Sequence, residues 1–489
     1  MRQAVIAVLL ITFFCAPVAL QAAVDPALSP TPAAEATAPY RGKVLEKSAA
    51  GNAVSPFLFG DMDDNGSINV FDALMALRTA VQLEPLTAYT QSHGDVNSDG
   101  YINVFDALLI LQKAVGLPIP LRPVSLATSG SFPYGASGTT LLDMAVGDFT
   151  NDGNLDLAVV TTSNNNVSVF MGDGAGAFGS KTDFPVGEGP HAVATGDLNN
   201  DGYLDLAVAS PAPGSSWFTM PGTVSVLTGN GAGSFGPATS LGVGRFPVDL
   251  LIGNFTGGSE PDVVTANYYD FNVALLANGG TAGFAAAQSF SVENQPISLV
   301  AADFSRDGKL DLVVAGESEA TVLLGTATGG FAPPSSYSCG SYTMSAAAGD
   351  LDGDGRLDLA CANEVTGYIT FGYITFLKGD GAGSFSTWKT VTVGLFPRSV
   401  AIADLNGDGI LDLVVTTMFN GGRGSNEVFV LLGEGGGSFT APVSVYTVYS
   451  IGIAEPEVAI ADLNNDGKPD LLISDPEQRL MVIRLNATR

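Results

Sequence analysis

The stretch Asp148-Phe149-Thr150-Asn151-Asp152-Gly153-Asn154-Leu155-Asp156 decides how this chain is read, because its pattern returns six more times. The other copies run Asp197 to Asp205, Asn254 to Asp262, Asp303 to Asp311, Asp350 to Asp358, Asp404 to Asp412 and Asp462 to Asp470. Their first positions are separated by 49, 57, 49, 47, 54 and 58 residues. A period near fifty, built from short apolar runs and turns, marks a solenoid or a propeller. In each period an apolar strand enters the loop, as in His191-Ala192-Val193-Ala194-Thr195-Gly196. A second leaves it, as in Leu206-Ala207-Val208-Ala209, and a third alternates strictly, as in Val167-Ser168-Val169-Phe170. A glycine-rich turn, Gly172-Asp173-Gly174-Ala175-Gly176-Ala177-Phe178-Gly179 in the first copy, then leads into a fourth. Four antiparallel strands per period make one blade, so a mainly β fold with seven four-stranded blades is expected over residues 122–489.

The two ends of the array bear on closure. The seventh copy stops after its third strand, at Leu485-Asn486-Ala487-Thr488-Arg489. A segment resembling a fourth strand, Gly130-Ser131-Phe132-Pro133-Tyr134, lies instead before the first copy. Residues 122–136 are therefore expected to complete the last blade and remove an open strand edge.

The nine-residue loops place side-chain oxygens at positions 1, 3, 5 and 9, and a backbone carbonyl at position 7. That suits a hard cation that takes six to eight oxygens, as calcium does. Asp350, Asp352, Asp354, Arg356 (through its carbonyl) and Asp358 form the set richest in carboxylates. Three further sets follow, each with its position-7 carbonyl: Asp197, Asn199, Asp201, Tyr203 and Asp205; Asp404, Asn406, Asp408, Ile410 and Asp412; and Asp462, Asn464, Asp466, Lys468 and Asp470. Asp148, Thr150, Asp152, Asn154 and Asp156, and likewise Asp303, Ser305, Asp307, Lys309 and Asp311, put a hydroxyl at position 3, a weaker or water-assisted ligand. The third copy has Gly258 where the others have aspartate and is expected to hold no ion. Six ions in the repeat array are expected.

A second pattern precedes the array. Asp61, Asp63, Asn65, Ser67 (carbonyl) and Asp72 recur 34 residues later as Asp95, Asn97, Asp99, Tyr101 (carbonyl) and Asp106. Glycine stands at position 6 of both loops, as calcium loops of the EF-hand type require for the sharp reversal. Each loop runs into an amphipathic helix, Ala73 to Leu83 and Ala107 to Leu117, and no convincing helix enters either. Two more calcium ions are expected here. The ligand aspartates of both patterns account for about half of the 49 acidic residues. Calcium, rather than disulfides, is thus expected to hold the turns.

A duplicated loop-helix unit with aspartate at position 12 resembles a dockerin, a small α domain of tandem EF-hand type, over residues 58–120. The resemblance implies two-fold packing and a cohesin-like protein partner, recognised through loop positions 10 and 11, often Ser-Thr. Those positions are Val70-Phe71 and Val104-Phe105 here, which leaves calcium binding intact and the partner open. The blade repeat, with Phe-Gly closing a glycine-rich turn and an acidic loop before Asp-Leu, resembles FG-GAP or VCBS repeats. These build the seven-bladed propellers of integrin alpha-like proteins, and the resemblance covers three quarters of the chain. In such propellers the calcium hairpins lie on one face and the variable loops emerge on the other.

The rest of the sequence narrows the setting. Lys and Arg number 20 against 49 acidic residues, a formal charge of −29, which argues against wrapping nucleic acid. Sixty glycines in 489 residues fit many short strands and exclude a long-helix protein. Met1-Arg2, the apolar run Ala4 to Leu20 and the small residues after it read as a signal peptide over residues 1–22. At about 17 residues the run lies at the lower limit for a span, so cleavage is favoured over anchoring. Residues 23–57 are rich in Ala and Pro and read as a linker. The protein is expected outside the cell, at its surface or in the periplasm, with no span after cleavage. The mature chain keeps Cys339 and Cys361, which could bridge or remain two buried thiols.

The loops between second and third strands carry irregular aromatics: Trp217, Phe218, Tyr268, Tyr269, Tyr368 and Phe419, with Arg423. Tyr368-Ile369-Thr370-Phe371 and Tyr373-Ile374-Thr375-Phe376 duplicate each other, so either could form the third strand of blade five. His191 and Arg398 occupy the start of innermost strands, facing the axis, and are the best candidates for site chemistry. No serine-nucleophile elbow, phosphate-cradling loop or metalloprotease motif is present. The leading expectation is a secreted calcium-binding module for adhesion or interaction, binding protein or carbohydrate, with no catalytic residue assigned. The alternative is an extracellular polysaccharide-degrading enzyme, a lyase or glycoside hydrolase, on the same scaffold.

Overall fold

The computed structural model describes residues 124–488, apart from 136–139, 162–163, 213, 215–217, 365–370, 419–423, 451–455 and 477. The signal peptide, the linker, the whole dockerin-like segment with its ten ligand positions, and Trp217, Tyr368, Phe419 and Arg423 lie outside these residues.

Seven four-stranded antiparallel sheets account for the described chain. Blade one runs Leu141–Gly147, Asp156–Thr161, Asn166–Phe170 and Thr182–Pro185, in that spatial order. Blade two (Ala192–Gly196 to Thr239–Gly242), blade three (Pro247–Gly253 to Gln288–Ser291) and blade four (Pro296–Ala302 to Ser335–Ser338) repeat the meander. Blade five runs from Thr343–Gly349 to Phe385–Leu395, and its third strand is Phe371–Gly379, so the second of the duplicated Tyr-Ile-Thr-Phe stretches lies in it. Blade six runs from Pro397–Ala403 to Val443–Ser450, with a small extra hairpin, Gly433–Gly435 with Ser438–Phe439. Blade seven takes three strands from the C-terminal end, Val458–Ala461, Asp470–Asp475 and Leu480–Asn486. Its fourth is Leu126–Pro133, paired antiparallel with Leu480–Asn486 from Leu126↔Asn486 to Pro133↔Leu480. The ring is therefore latched by strands from opposite ends of the described chain, and the outer edge of Leu480–Asn486 is covered.

The burial pattern follows from stacking blades side by side. Every second strand is buried along all six residues, because a neighbouring blade covers each of its faces. That is why these strands read as unbroken apolar runs rather than alternating ones. The fourth strands of blades one to four are largely exposed. The core is accordingly divided among seven clusters, one at each junction between blades. The cluster joining blades seven and one packs Met144 and Leu157 with Leu472 and Met481, so closing the ring adds an interface as apolar as the others.

Phenylalanines of the glycine-rich turns tie neighbours together. Phe235 of blade two meets Phe149 of blade one edge-on at 5.5 Å. Phe331 and Phe385 repeat this against Phe255 and Phe304 of the preceding blades, at 5.6 and 5.5 Å. The glycine that opens the turn is dictated by space. A Cβ on Gly172, Gly229 or Gly379 would lie 2.1 Å from the carbonyl oxygen of Leu155, Leu204 or Leu357. Cys339 and Cys361 are fully buried in the junction between blades four and five and are unbridged in this structure.

Candidate functional site: acidic hairpins and the aromatic face opposite

An antiparallel meander puts the first-to-second and third-to-fourth turns at one end of each blade. The second-to-third loops and the links to the next blade lie at the other. The acidic hairpins and the aromatic loops thus belong to opposite faces.

On the hairpin face, the aspartate at position 9 is fully buried in all seven blades. One of its oxygens accepts N–H bonds from its own loop, and the other accepts from a residue at or just past the end of the third strand. Asp156 takes Phe149 and Gly172, both at 2.8 Å. Asp205 takes Leu198 and Gly229, at 2.9 and 2.7 Å, and Asp412 takes Leu405 and Gly433, at 2.9 and 2.7 Å. Each carboxylate therefore joins the metal-type hairpin to the glycine-rich turn beside it. Burial raises Asp156 and Asp311 and pushes Asp205, Asp358 and Asp470 up to about 6 and Asp412 to about 8, against the N–H donors that lower them.

The remaining oxygens shape the loop. Asp148 accepts from the N–H groups of Asp152 and Gly153, at 3.1 and 2.9 Å. Asp197, Asp303, Asp350, Asp404 and Asp462 do the same in their blades. In these six loops positions 4 and 6 both adopt left-handed backbone, with φ near +54 and +88 at Asn151 and Gly153. Glycine at position 6 is what permits the second of these reversals. The donor set at positions 1, 3, 5, 7 and 9 fits a hard, oxygen-liganded cation. Blade five fits it most closely: carboxylate oxygens of Asp350, Asp352 and Asp358 lie within 4.8 Å of one another.

Blade three departs from this form. Ser259 replaces glycine at position 6, and only Gly257 at position 4 is left-handed. Asn254 replaces the first aspartate and closes the loop itself, accepting from Gly257 and donating to the Gly258 carbonyl, both at 2.7 Å. Yet Asp262 keeps the full latch, accepting from Phe255, Thr256 and Asn278 at 2.9, 2.8 and 2.8 Å. The latch does not depend on the rest of the acidic set.

Blade five carries a cation of its own. The Lys378 ammonium contacts Asp352 and lies 3.0 Å from Asp354. These carboxylates hold it well above the usual lysine range. It also sits 5.7 Å from the Trp388 ring. The other blades have Met171, Thr228, Ala277, Leu324, Leu432 and Leu485 at this place. The loop richest in carboxylates is thus the one with a tethered counter-charge.

On the opposite face, four of the candidate residues come together. Tyr268 and Tyr269 meet edge-on at 5.0 Å, and Phe218 tilts against Tyr269 at 4.9 Å. Phe246 touches Tyr268, Tyr269 and His191, at 6.2, 5.4 and 5.5 Å. Arg245 braces the group: it donates to the carbonyls of Phe218 and Tyr269, at 2.9 and 2.7 Å, and pairs with Asp270 at 2.5 Å. Of the six large apolar side chains exposed among the described residues, four lie on this face: Phe218, Met220, Phe271 and Tyr342. His191 Nδ1 is buried without a partner, and burial lowers the imidazole pKa, against the opposing pull of the Val248 backbone and Asp249. Arg398 is engaged elsewhere, 3.2 Å from Glu364.

Phe246, Tyr342, Phe396 and Arg245 were not among the sequence candidates. The first three precede the innermost strands of blades three, five and six with φ of 54, 50 and 47. Their carbonyls accept from the N–H groups of Tyr268, Glu364 and Met418, at 3.0, 3.0 and 2.9 Å. A left-handed aromatic residue costs about 1–3 kcal/mol unless its surroundings impose it. The available signal was the recurrence of Phe-Pro at one repeat position, Phe246-Pro247 and Phe396-Pro397.

Comparison with known proteins comes down on the repeats. The FG-GAP-like repeat model matches residues 127–208, 254–314, 303–361 and 417–473. The FG-GAP repeat model matches 189–233 and 396–431, and a dockerin type I domain is present at 59–116. Among solved structures, BBS1N in its complex with ARL6DN is 10% identical, covering 75% of this chain and 98% of that one, with a TM-score of 0.51. An Agrocybe aegerita lectin that recognises non-reducing terminal N-acetylglucosamine is 19% identical, over 70% and 86% of the two chains, with a TM-score of 0.46. A catalytically inactive virginiamycin B lyase from Staphylococcus aureus, with quinupristin, is 14% identical over 74% and 100%, at 0.46. At these identities the likeness concerns the fold.

Two outcomes are expected at the hairpins. Asp156, Asp205, Asp311, Asp358, Asp412 and Asp470 have folded-state pKa values above the ordinary 3.8, so the metal-free folded state binds more protons than the unfolded chain between them. Their contribution is full below pH 3.8 and is lost as pH rises through about 6 to 8. In chelator, the thermal midpoint should fall between pH 5 and pH 8, and saturating calcium should flatten that slope. A chelated protein whose midpoint rises over the same range would contradict this. Replacing the tethered cation, Lys378→Met, should tighten calcium binding at blade five by about tenfold, since one internal competitor is removed. Identical calorimetric titrations of variant and wild type would show that Lys378 does not compete.

Proposed function

This chain belongs to the FG-GAP-like repeat family, and on that premise we propose that it is an exported, calcium-stabilised binding module. The aromatic face engages a protein or carbohydrate ligand, and the dockerin domain docks the propeller to a cohesin-like or other protein partner. The observation that carries the reading is the concentration of exposed aromatic surface on the face away from the acidic hairpins, around Phe218 and Tyr269. Exposed aromatics braced by an arginine are what a recognition surface needs, because they bury large area at little side-chain entropy. The acidic hairpins have a separate task. About six calcium ions there, and two in the dockerin domain, offset the repulsion of clustered carboxylates and fix the hairpins. No described helix is long and apolar enough to cross a membrane.

The enzymatic alternative has less to rest on. A lyase acting on an acidic sugar needs free cations at the open face, whereas Arg245 and Arg398 are both paired with carboxylates there. His191 is held towards its neutral form and packs on Phe246.

Screening the full chain in calcium against glycan and protein arrays, with a product assay on each hit, tests the reading. Phe218→Ala with Tyr269→Ala should weaken any hit at least tenfold while leaving the thermal midpoint within a few degrees. Unchanged binding by that variant, or release of shortened sugar products, would overturn it.

A further inference from the structure

The open face carries charge as well as rings, and its sign selects among ligands. Glu188 and Glu293 are exposed in the links between blades, and Glu317 lies in the second-to-third turn of blade four. None of the three has an ion-pair partner among the described residues. Two arginines of this face are engaged locally, Arg245 by Asp270 and Arg398 by Glu364. The surface that surrounds the aromatic cluster is therefore anionic even with every calcium hairpin filled, because the hairpins lie at the other end of the blades.

The carboxylate and the rings meet at the junction of blades three and four. Glu317 lies close enough to Tyr268 to add to the burial that raises its phenol, and Tyr269 and Tyr342 contribute in the same sense. The backbone N–H of Tyr342 donates to the Glu317 carbonyl, which fixes the two residues side by side. Tyr342 is 42% exposed and is held in left-handed backbone, so its ring is presented rather than buried. Tyr268 and Tyr269 stand at 88° to each other, offering faces and edges in turn instead of one flat platform for a sugar ring. Ring faces beside a carboxylate attract a positively charged group by cation–π and ionic terms together.

We propose that the junction formed by Tyr268, Glu317 and Tyr342 binds an ammonium or guanidinium group of a basic peptide segment on a protein partner. This rests on the binding-module reading and narrows its ligand class. A flexible lysine or arginine stem can carry its charge to a carboxylate beside ring faces, where a neutral sugar gains no ionic term. Association should weaken as salt is raised, because the carboxylates of this face are solvent-exposed or half-exposed and hence screened.

The test uses the full chain in saturating calcium and a fluorescent twelve-residue Gly-Ser peptide bearing three spaced lysines. Its Nε-acetylated counterpart, fully N-acetylated chitin oligomers and cellohexaose serve as competitors. The lysine peptide should bind, the acetylated one at least tenfold more weakly, and neither sugar should displace it. Glu317→Gln and Tyr342→Ala should each lower affinity severalfold with an unchanged thermal midpoint. Glu434→Gln, an exposed charge at the hairpin end of blade six, should have no effect. Equal losses in Glu317→Gln and Glu434→Gln would mean general attraction to a polyanion and would overturn the proposal, as would displacement by a neutral chitin oligomer or cellohexaose. A glycan hit lost in the Phe218→Ala/Tyr269→Ala variant, without lysine-peptide binding, would sink this inference and leave the binding module standing.

Discussion

A buried carboxylate that spends both oxygens on backbone N–H groups is the constraint on which every blade depends. It sits at the start of the second strand, the most enclosed strand of the blade, and reaches one way into its own hairpin and the other way to the end of the third strand. Without it, at least two N–H groups would be enclosed with no acceptor, at about 1–3 kcal/mol each. With it, two turns of opposite chemistry, one acidic and one glycine-rich, are held in register. In the six blades with an acidic first position, burial makes ionisation of that group unfavourable, which a nearby divalent cation would offset. Latch and cation are thus linked through one side chain, although blade three shows that the latch also forms alone.

The division of labour between faces follows from strand order. Turns close to the latch must be short, regular and rich in small residues, since a Cβ at Gly172 or Gly229 would strike a neighbouring carbonyl. The opposite ends carry no such demand, and there the loops differ from blade to blade. Asymmetry accumulates in blades two to four, where Arg245 locks two loops together and aromatic residues accept left-handed backbone. Strain of that kind persists where packing imposes it, and here it coincides with the exposed apolar surface.

Much of this was legible from the residues. The count of blades followed from seven acidic loops, and the alternation of the third strands placed them correctly. The odd character of the third loop was visible in Gly258, and the structure adds why it still folds: Asn254 supplies both donor and acceptor. What escaped was contact between residues distant in the repeat. Lys378 stands 26 residues beyond Asp352, which it meets, and nothing in its local sequence marks it. Asn278 and Asn486 reach carbonyls of the preceding blades, Leu198 at 2.7 Å and Leu405 at 2.6 Å, in place of the usual turn glycine. Arg398 was placed on the axis by alignment of strands, yet its charge is spent on Glu364, which only the fold brings near.

Blade three separates the latch from the cation, so its carboxylate offers the most direct test. Thermal unfolding of Asp262→Asn should be measured beside wild type, in calcium and in chelator. The amide turns a donor toward N–H groups that need an acceptor, and a loss of about 3 kcal/mol is predicted, of the same size in both media. An unaltered midpoint, or a loss that vanishes when calcium is removed, would contradict the account.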